Sequence, residues 1–338
     1  MEECTMRASA PGKIMLLGEY AVLEGGPALI AAANRRACGR WLSADSFSRG
    51  QPHEPHAPRE PHGAGPSNAE SRHGRRGLDS AVKPSPVVAS VFARARLLGY
   101  PFRGDVAIDT TCFRDAAGEK LGLGSSSAAA VVTAALIVGR DEKTAILDLA
   151  LGGHRGAFRG QGSGVDVAAS VYGGVFSTRS QPAPRVPLGG ALPGLGLHVL
   201  FTGESASTAE FVRACRACGR FASHAETMTM LAEEGIAAYA AKNAEAFLTA
   251  ARAYGRAMAS LGTDAGVPIV TEQIAAVMEA AEAAGGAAKP SGAGGGDIVV
   301  LWSRTPEVAN AVAASTGCTV LDIEIDGEGV KLGGLTAP

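Results

Sequence analysis

Residues 289–297 read KPSGAGGGD, and the five positions from Gly292 to Gly296 carry no side chain or a single methyl group. Such a stretch tolerates positive φ and leaves backbone N–H groups open, so it suits a loop whose main chain approaches a ligand closely. A second bare stretch, KLGLGSSSAAA (120–130), runs from glycine straight into three serines and an apolar segment. A helix starting there would turn unpaired N–H groups and the positive end of its dipole toward an anion. The same residues also describe a tight turn with an ordinary serine N-cap. Neither stretch contains the GxxxxGK[ST] of a P-loop or the GxGxxG of a dinucleotide fold, so a different phosphate cradle is needed.

Two more segments carry candidate chemistry. In APGKIMLLGEYAVLEGGPALIAA (10–32), Lys13 follows a Pro-Gly turn and precedes apolar residues, which places its amine at the edge of a core or at a solvated strand end. In RGQGSGVDVAASVYGG (159–174), Asp166 follows a Gly and Ser turn and reads either as an N-cap or as a working carboxylate.

Composition narrows the partners. The 338 residues are 46% hydrophobic, enough for one large or two medium domains. With 31 Lys plus Arg against 33 Asp plus Glu, no basic excess points to nucleic acid and no strong field to a membrane surface. A small-molecule partner is expected. The start MEECTMRASAPGK lacks a basic segment followed by an apolar core, and SSSAAAVVTAALIVG (125–139) is too short to span a bilayer. A cytoplasmic location is the default. The six cysteines are scattered, as expected of reduced thiols; Cys215 and Cys218 form a CxxC without a second pair or a thioredoxin-like setting. No signal of oligomeric state is visible, and a homodimer is compatible with the sequence.

Along the chain, residues 43–86 are crowded with Pro, Gly, Ser and His and nearly lack aliphatic residues, which predicts a mobile surface insertion. It holds His53, His56, His62 and His73, whose spacing follows no metal-ligand pattern. Elsewhere strand and helix signals alternate. Strands are expected at 13–23 (with a turn), 104–110, 196–203, 297–302 and 320–325. Helices are expected at 87–99, after Gly124, and as two long Ala-rich segments at 222–261 and 271–284. The pattern is α+β in two halves, with a boundary near 180–195 where QPAPRVPLGGALPG supplies Pro and Gly.

The order of these motifs resembles the GHMP kinase superfamily: Pro11-Gly12-Lys13 with Gly18-Glu19, then GLGSS at Gly122 to Ser126, then GAGGG at Gly292 to Gly296. The resemblance implies a two-domain α+β fold. Its N-terminal domain would be ribosomal-protein-S5-like (1–185), its C-terminal domain ferredoxin-like (186–338), with the site in the cleft between them. Within the superfamily, GSGVDVAASVYGG, TGESAST, SGAGGGD and the Tyr at position 20 look like the phosphomevalonate kinase group. Mevalonate kinases place a Mg²⁺-binding Glu eleven residues before the Asp, where this chain has Arg155. The implied reaction is transfer from ATP, with Mg²⁺, to (R)-5-phosphomevalonate in isoprenoid precursor synthesis. Mevalonate kinase, another small-molecule kinase of this fold, and diphosphomevalonate decarboxylase are the alternatives.

The resemblance also assigns roles. Lys13 and Asp166 would be catalytic. Lys120, Gly122, Leu123, Gly124, Ser125, Ser126 and Ser127 would meet the ATP phosphates, with Ser125 on Mg²⁺. Lys13, Glu19, Tyr20, Arg155, Arg159, Ser163, Gly164, Ser291, Gly292, Ala293, Gly294, Gly295 and Asp297 would surround the acceptor. His154, Arg155 and Arg159, just before the Asp turn, form a cation cluster suited to a phosphate, since Arg pairs with phosphate in a bidentate fork.

Overall fold

The computed structural model describes residues 6–42, 85–102, 104–160, 162–204 and 208–333. The expected insertion lies outside them except for its last two residues. These begin a helix instead: Ser85 caps α1 (Pro86–Leu97) by accepting from Val88 N, and Pro86 takes the first helical position. The four histidines of the insertion, and 205–207 of the TGESAST segment, also lie outside the described residues.

The first half is built on a six-stranded antiparallel sheet. β1 (Arg7–Leu17) and β2 (Ala28–Trp41) form its centre, flanked by β10 (Lys331–Gly333) beside β1 and by β4 (Val175–Thr178) and β5 (Val186–Gly189) beyond β2. β3 (Val106–Asp109) pairs with the far end of β2. Pro11 and Gly12 were expected to turn; they lie inside β1 instead, at a register shift against β2. A bulge accommodates a residue that cannot donate to the ladder and re-aims the side chains that follow it. α2 (Ser125–Val138) packs on this sheet and is buried from Ser127 to Ile137 on all sides, which its nearly uninterrupted apolar sequence permits. α1, α3 (Lys143–Ala157) and α4 (Val165–Tyr172) surround it.

The second sheet is four-stranded and antiparallel, in the order β7 (Ala287–Pro290), β8 (Ile298–Ser303), β6 (Gly196–Phe201), β9 (Thr319–Leu321). β8 is buried on both faces. Val299 and Leu301 pack with Ile274 and Val277 of α8 (Glu272–Ala283) and Val312 of α9 (Pro306–Thr316), while Ile298, Val300 and Trp302 join the main core. That core is continuous from Ala8 to Val330, so the two sheets share it.

Three expectations change. The helix predicted at 222–261 is two antiparallel helices, α6 (Phe221–Ala240) and α7 (Ala244–Ala265), because Lys242 turns left-handed and Asn243 caps the second. They follow α5 (Thr208–Ala217). The strand predicted at 320–325 ends at Leu321, and Ile325 makes a single bridge to Ala33. Sheet membership also crosses the expected division at 185/186: β5 and β10 both belong to the first sheet. No helix of the described residues is long and apolar enough to cross a membrane.

Candidate active site

The bulge in β1 presents Lys13. Its backbone N donates to Leu123 O at 2.8 Å, which ties the first glycine loop to the strand. A Cβ on Gly12 would lie 2.5 Å from Leu123 O and 2.7 Å from the Phe113 ring, so only glycine permits that approach. The Lys13 ammonium donates to Gly122 O at 3.1 Å. Gly124, at φ 81, caps α2 without a side-chain acceptor, leaving the first helical N–H groups for a ligand.

The three serines then diverge. Ser125 and Ser126 are half-buried at the helix start, whereas Ser127 is fully buried and donates to Gly124 O at 2.7 Å. The hydroxyl of Ser127 therefore holds the turn rather than facing a phosphate. Leu123 is buried, and its carbonyl is the working group. Lys120 is exposed at the loop edge.

The third glycine loop closes over Lys13 from the other half of the molecule. Ser291 Oγ accepts from Met15 N at 3.0 Å, and Tyr20 donates its hydroxyl to Ala293 O at 2.6 Å. Gly295 N donates to Ile269 O, and Asp297 N to Glu204 O. A Cβ on Gly292 would stand 3.8 Å from Lys13 Nζ, and one on Gly122 would stand 2.7 Å from Asp297 Cβ, so both loops meet at this lysine. Glu19 and Tyr20, expected to touch substrate, are 3% exposed each and face the loop: Glu19 Oε1 accepts from Lys289 Nζ at 2.5 Å and from Gly292 N at 3.3 Å. They build the wall behind the loop. Burial pushes the Tyr20 phenol far above its ordinary range, with Cys215 and Glu19 adding to the effect, so its hydroxyl stays a donor.

Asp166 lies in the first turn of α4, behind Gly164 at φ 75. Its Oδ1 accepts from Val167 N at 2.9 Å, and its Oδ2 is 3.8 Å from His154 Nε2. The same His154 nitrogen is 3.4 Å from Ser126 Oγ, so a buried histidine links the start of α2 to the carboxylate. The amine of Lys13 is bonded to Gly122 and forms no direct ion pair with Asp166.

Of the cation cluster, His154 alone stands beside Asp166. Arg155 points away, donating to Gln181 O and lining a groove with Arg94 and Asp148 between α1 and α3. Neighbouring helical residues lie about 100° apart, so 154 and 155 cannot face the same partner. Arg159 is exposed at φ 54. Ser163 accepts from Gln181 N through its carbonyl, and Gly164 packs against Leu151 and Gln181.

No group of three or more His, Cys, Asp or Glu among the described residues is arranged to hold a metal ion. The oxygen donors at the site include the Ser125 and Ser126 hydroxyls and the Asp166 carboxylate, with the Asp297 carboxylate beside Gly122. Magnesium commonly takes one or two protein oxygens and completes its shell with phosphates and water, so this set fits an ion delivered with a nucleotide.

Residues 236–317 match the family model described as GHMP kinases C terminal. A phosphomevalonate kinase of Streptomyces sp. (strain CL190) is 31% identical, over 87% of this chain and 88% of that protein. A mevalonate kinase of Aeropyrum pernix is 29% identical over 89% of this chain and 90% of its own length. Among solved structures, Streptococcus pneumoniae phosphomevalonate kinase in complex with phosphomevalonate and AMPPNP superposes with a TM-score of 0.74. It covers 94% of this chain and 99% of that one at 18% identity, a likeness of fold. Identity of this level over most of both chains, with three motifs meeting at one lysine, makes the protein a kinase that belongs to the GHMP kinase superfamily.

Proposed function

We propose that the protein is a phosphomevalonate kinase, which transfers the γ-phosphoryl group of ATP to the phosphate of (R)-5-phosphomevalonate and yields 5-diphosphomevalonate and ADP. The observation that carries this reading is the Lys13 ammonium held between two bare backbone loops, where phosphates can approach from either side. An acceptor phosphate oxygen attacks the γ-phosphorus, the bond to the bridging β,γ-oxygen breaks, and ADP departs. Lys13, the N–H groups at the start of α2 and the third glycine loop neutralise the charge that spreads over the transferring group. Bound Mg²⁺, met by Ser125, would offset further negative charge on the β- and γ-phosphates.

A phosphomonoester is largely dianionic at neutral pH, its second pKa being about 6, and needs no base. Asp166 then orients the acceptor side, and Arg159, exposed just before the Asp turn, is the cation assigned to the 5-phosphate. The 31% identity to a phosphomevalonate kinase and the Arg at position 155 support this acceptor. A second reading, mevalonate kinase, is favoured by the Aeropyrum relative and by the His154–Asp166 contact, which suits a carboxylate that takes a proton from an alcohol.

ADP release from ATP and Mg²⁺, measured with mevalonate, 5-phosphomevalonate and 5-diphosphomevalonate and followed by phosphorus NMR, separates the two. The expected result is a new diphosphate signal with 5-phosphomevalonate alone. Turnover of mevalonate instead would overturn the assignment.

A further inference from the structure

We propose that the buried Lys289–Glu19 pair is a positioning device, which holds the third glycine loop at the distance from Lys13 that phosphoryl transfer requires. Lys289 is fully buried and the Glu19 side chain is 2% exposed. Removing two charges from water is costly, and apolar residues of similar volume often serve stability as well or better. This pair is a poor stabiliser by its own geometry, because Glu19 Oε2 is buried with no hydrogen-bond partner.

What apolar residues could not supply is Oε1. That one oxygen takes both the Lys289 ammonium and the Gly292 amide, while Lys289 also donates to Pro290 O at 2.6 Å. The carboxylate and the lysine thus grip the loop at 290 and 292, next to the point where Gly292 faces Lys13. Tyr254 fixes the other side of the grip by donating to Glu19 O at 2.7 Å. Burial draws the Lys289 amine down from its ordinary range, Glu19 opposes this, and Lys13 adds to it, which places the two amines within electrostatic reach. Paired with Glu19, Lys289 adds no net charge to compete with Lys13 for phosphate.

The proposal rests on the kinase reading and not on the choice of acceptor. Its test is the double variant Glu19→Leu/Lys289→Met of the full chain. Thermal stability should stay close to the parent. With the acceptor the parent turns over, kcat should fall roughly tenfold to a hundredfold, the scale of a slightly misplaced reacting group, with KM for ATP little changed. Hydrogen–deuterium exchange should rise in 291–296 and stay unchanged in β8. This readout needs no acceptor, so a mistaken substrate and a mistaken positioning role give different outcomes. Parent-like kcat, or parent-like exchange in the loop, would overturn the proposal. If the double variant fails to fold, Glu19→Gln keeps the volume but makes the bond to Gly292 neutral. Faster loop exchange is then expected, and parent-like exchange sinks the idea.

Discussion

Lys13 and Asp166 are treated differently by their surroundings, and that difference is measurable. Lys13 stands where the two glycine loops meet, and the nearby Lys289 is already paired with Glu19. Asp166 is already engaged by the Val167 amide and lies near His154. For a phosphate acceptor, Lys13→Met should lower kcat about a thousandfold, as expected of a lost transition-state charge contact. Asp166→Asn should keep far more activity, because the role left to it is orientation and not proton removal. Steady-state kinetics on both variants, with circular dichroism to confirm folding, decide this; equal and complete loss in both would count against a phosphate acceptor. That 122–124 and 292–296 form bare loops was legible in the residues themselves, whereas their convergence on Lys13 was expected only from the resemblance carried by the three ordered motifs. The inward turn of Glu19 and Tyr20 was not, since a motif gives proximity but not the direction of a side chain. The histidine and arginine at 154 and 155 were both visible as cations, yet only the phase of α3 decides which one reaches Asp166.

At the scale of elements, the sequence was most informative where one local rule operated alone. The apolar run after Gly124 became the central helix, and the apolar run at 298–302 became an inner strand of the second sheet. It was least informative where a local break hid inside a uniform composition. The alanine-rich stretch from 222 to 261 gives no change of period at Lys242, whose left-handed turn depends on α7 folding back along α6. The visible trace of the break is Asn243, whose side chain accepts from Ala246 N at 3.1 Å. Asn243→Ala should therefore lower stability by about 1 kcal/mol, the usual worth of such a cap. For a protein of this size the melting temperature should drop by roughly 1–2 °C, with kcat unchanged at 25 °C because the cap is remote from Lys13. An unchanged melting temperature would show that the cap contributes nothing to holding the hairpin. That hairpin matters to the site, since α7 carries the Tyr254 hydroxyl that fixes the Glu19 main chain.

Across the whole molecule, the site depends on a chain that leaves the first sheet, builds the second and returns. The outward crossing is held by Met15 with Ser291, Tyr20 with Ala293 and Glu19 with Lys289. The return is held by Asp326, just before β10. Its carboxylate pairs with Arg36 of β2 and accepts from Glu328 N at 3.0 Å and Gly329 N at 3.1 Å, while Arg36 donates to Gly329 O at 2.7 Å. Burial alone would raise the Asp326 carboxyl, but the two amides and the Arg36 guanidinium together hold it below the ordinary carboxylate value. A folded-state value below the unfolded one means that the unfolded chain binds more protons in the window between them, so stability rises with pH there. The contribution is complete above the ordinary aspartate value, about 3.9, and is lost as pH falls from there through the folded value. Asp326→Asn removes it. Near neutral pH the variant should be less stable by about 2 kcal/mol, as for a hydrogen bond to a charged group. The gap from the parent should hold steady from pH 6 down to about pH 4 and narrow below it, because there the parent loses by protonation what the variant lacks by substitution. Thermal melts of both proteins across that range test the point: a gap that stays constant with pH would mean the return strand is held by packing alone, with no share from the Asp326 charge.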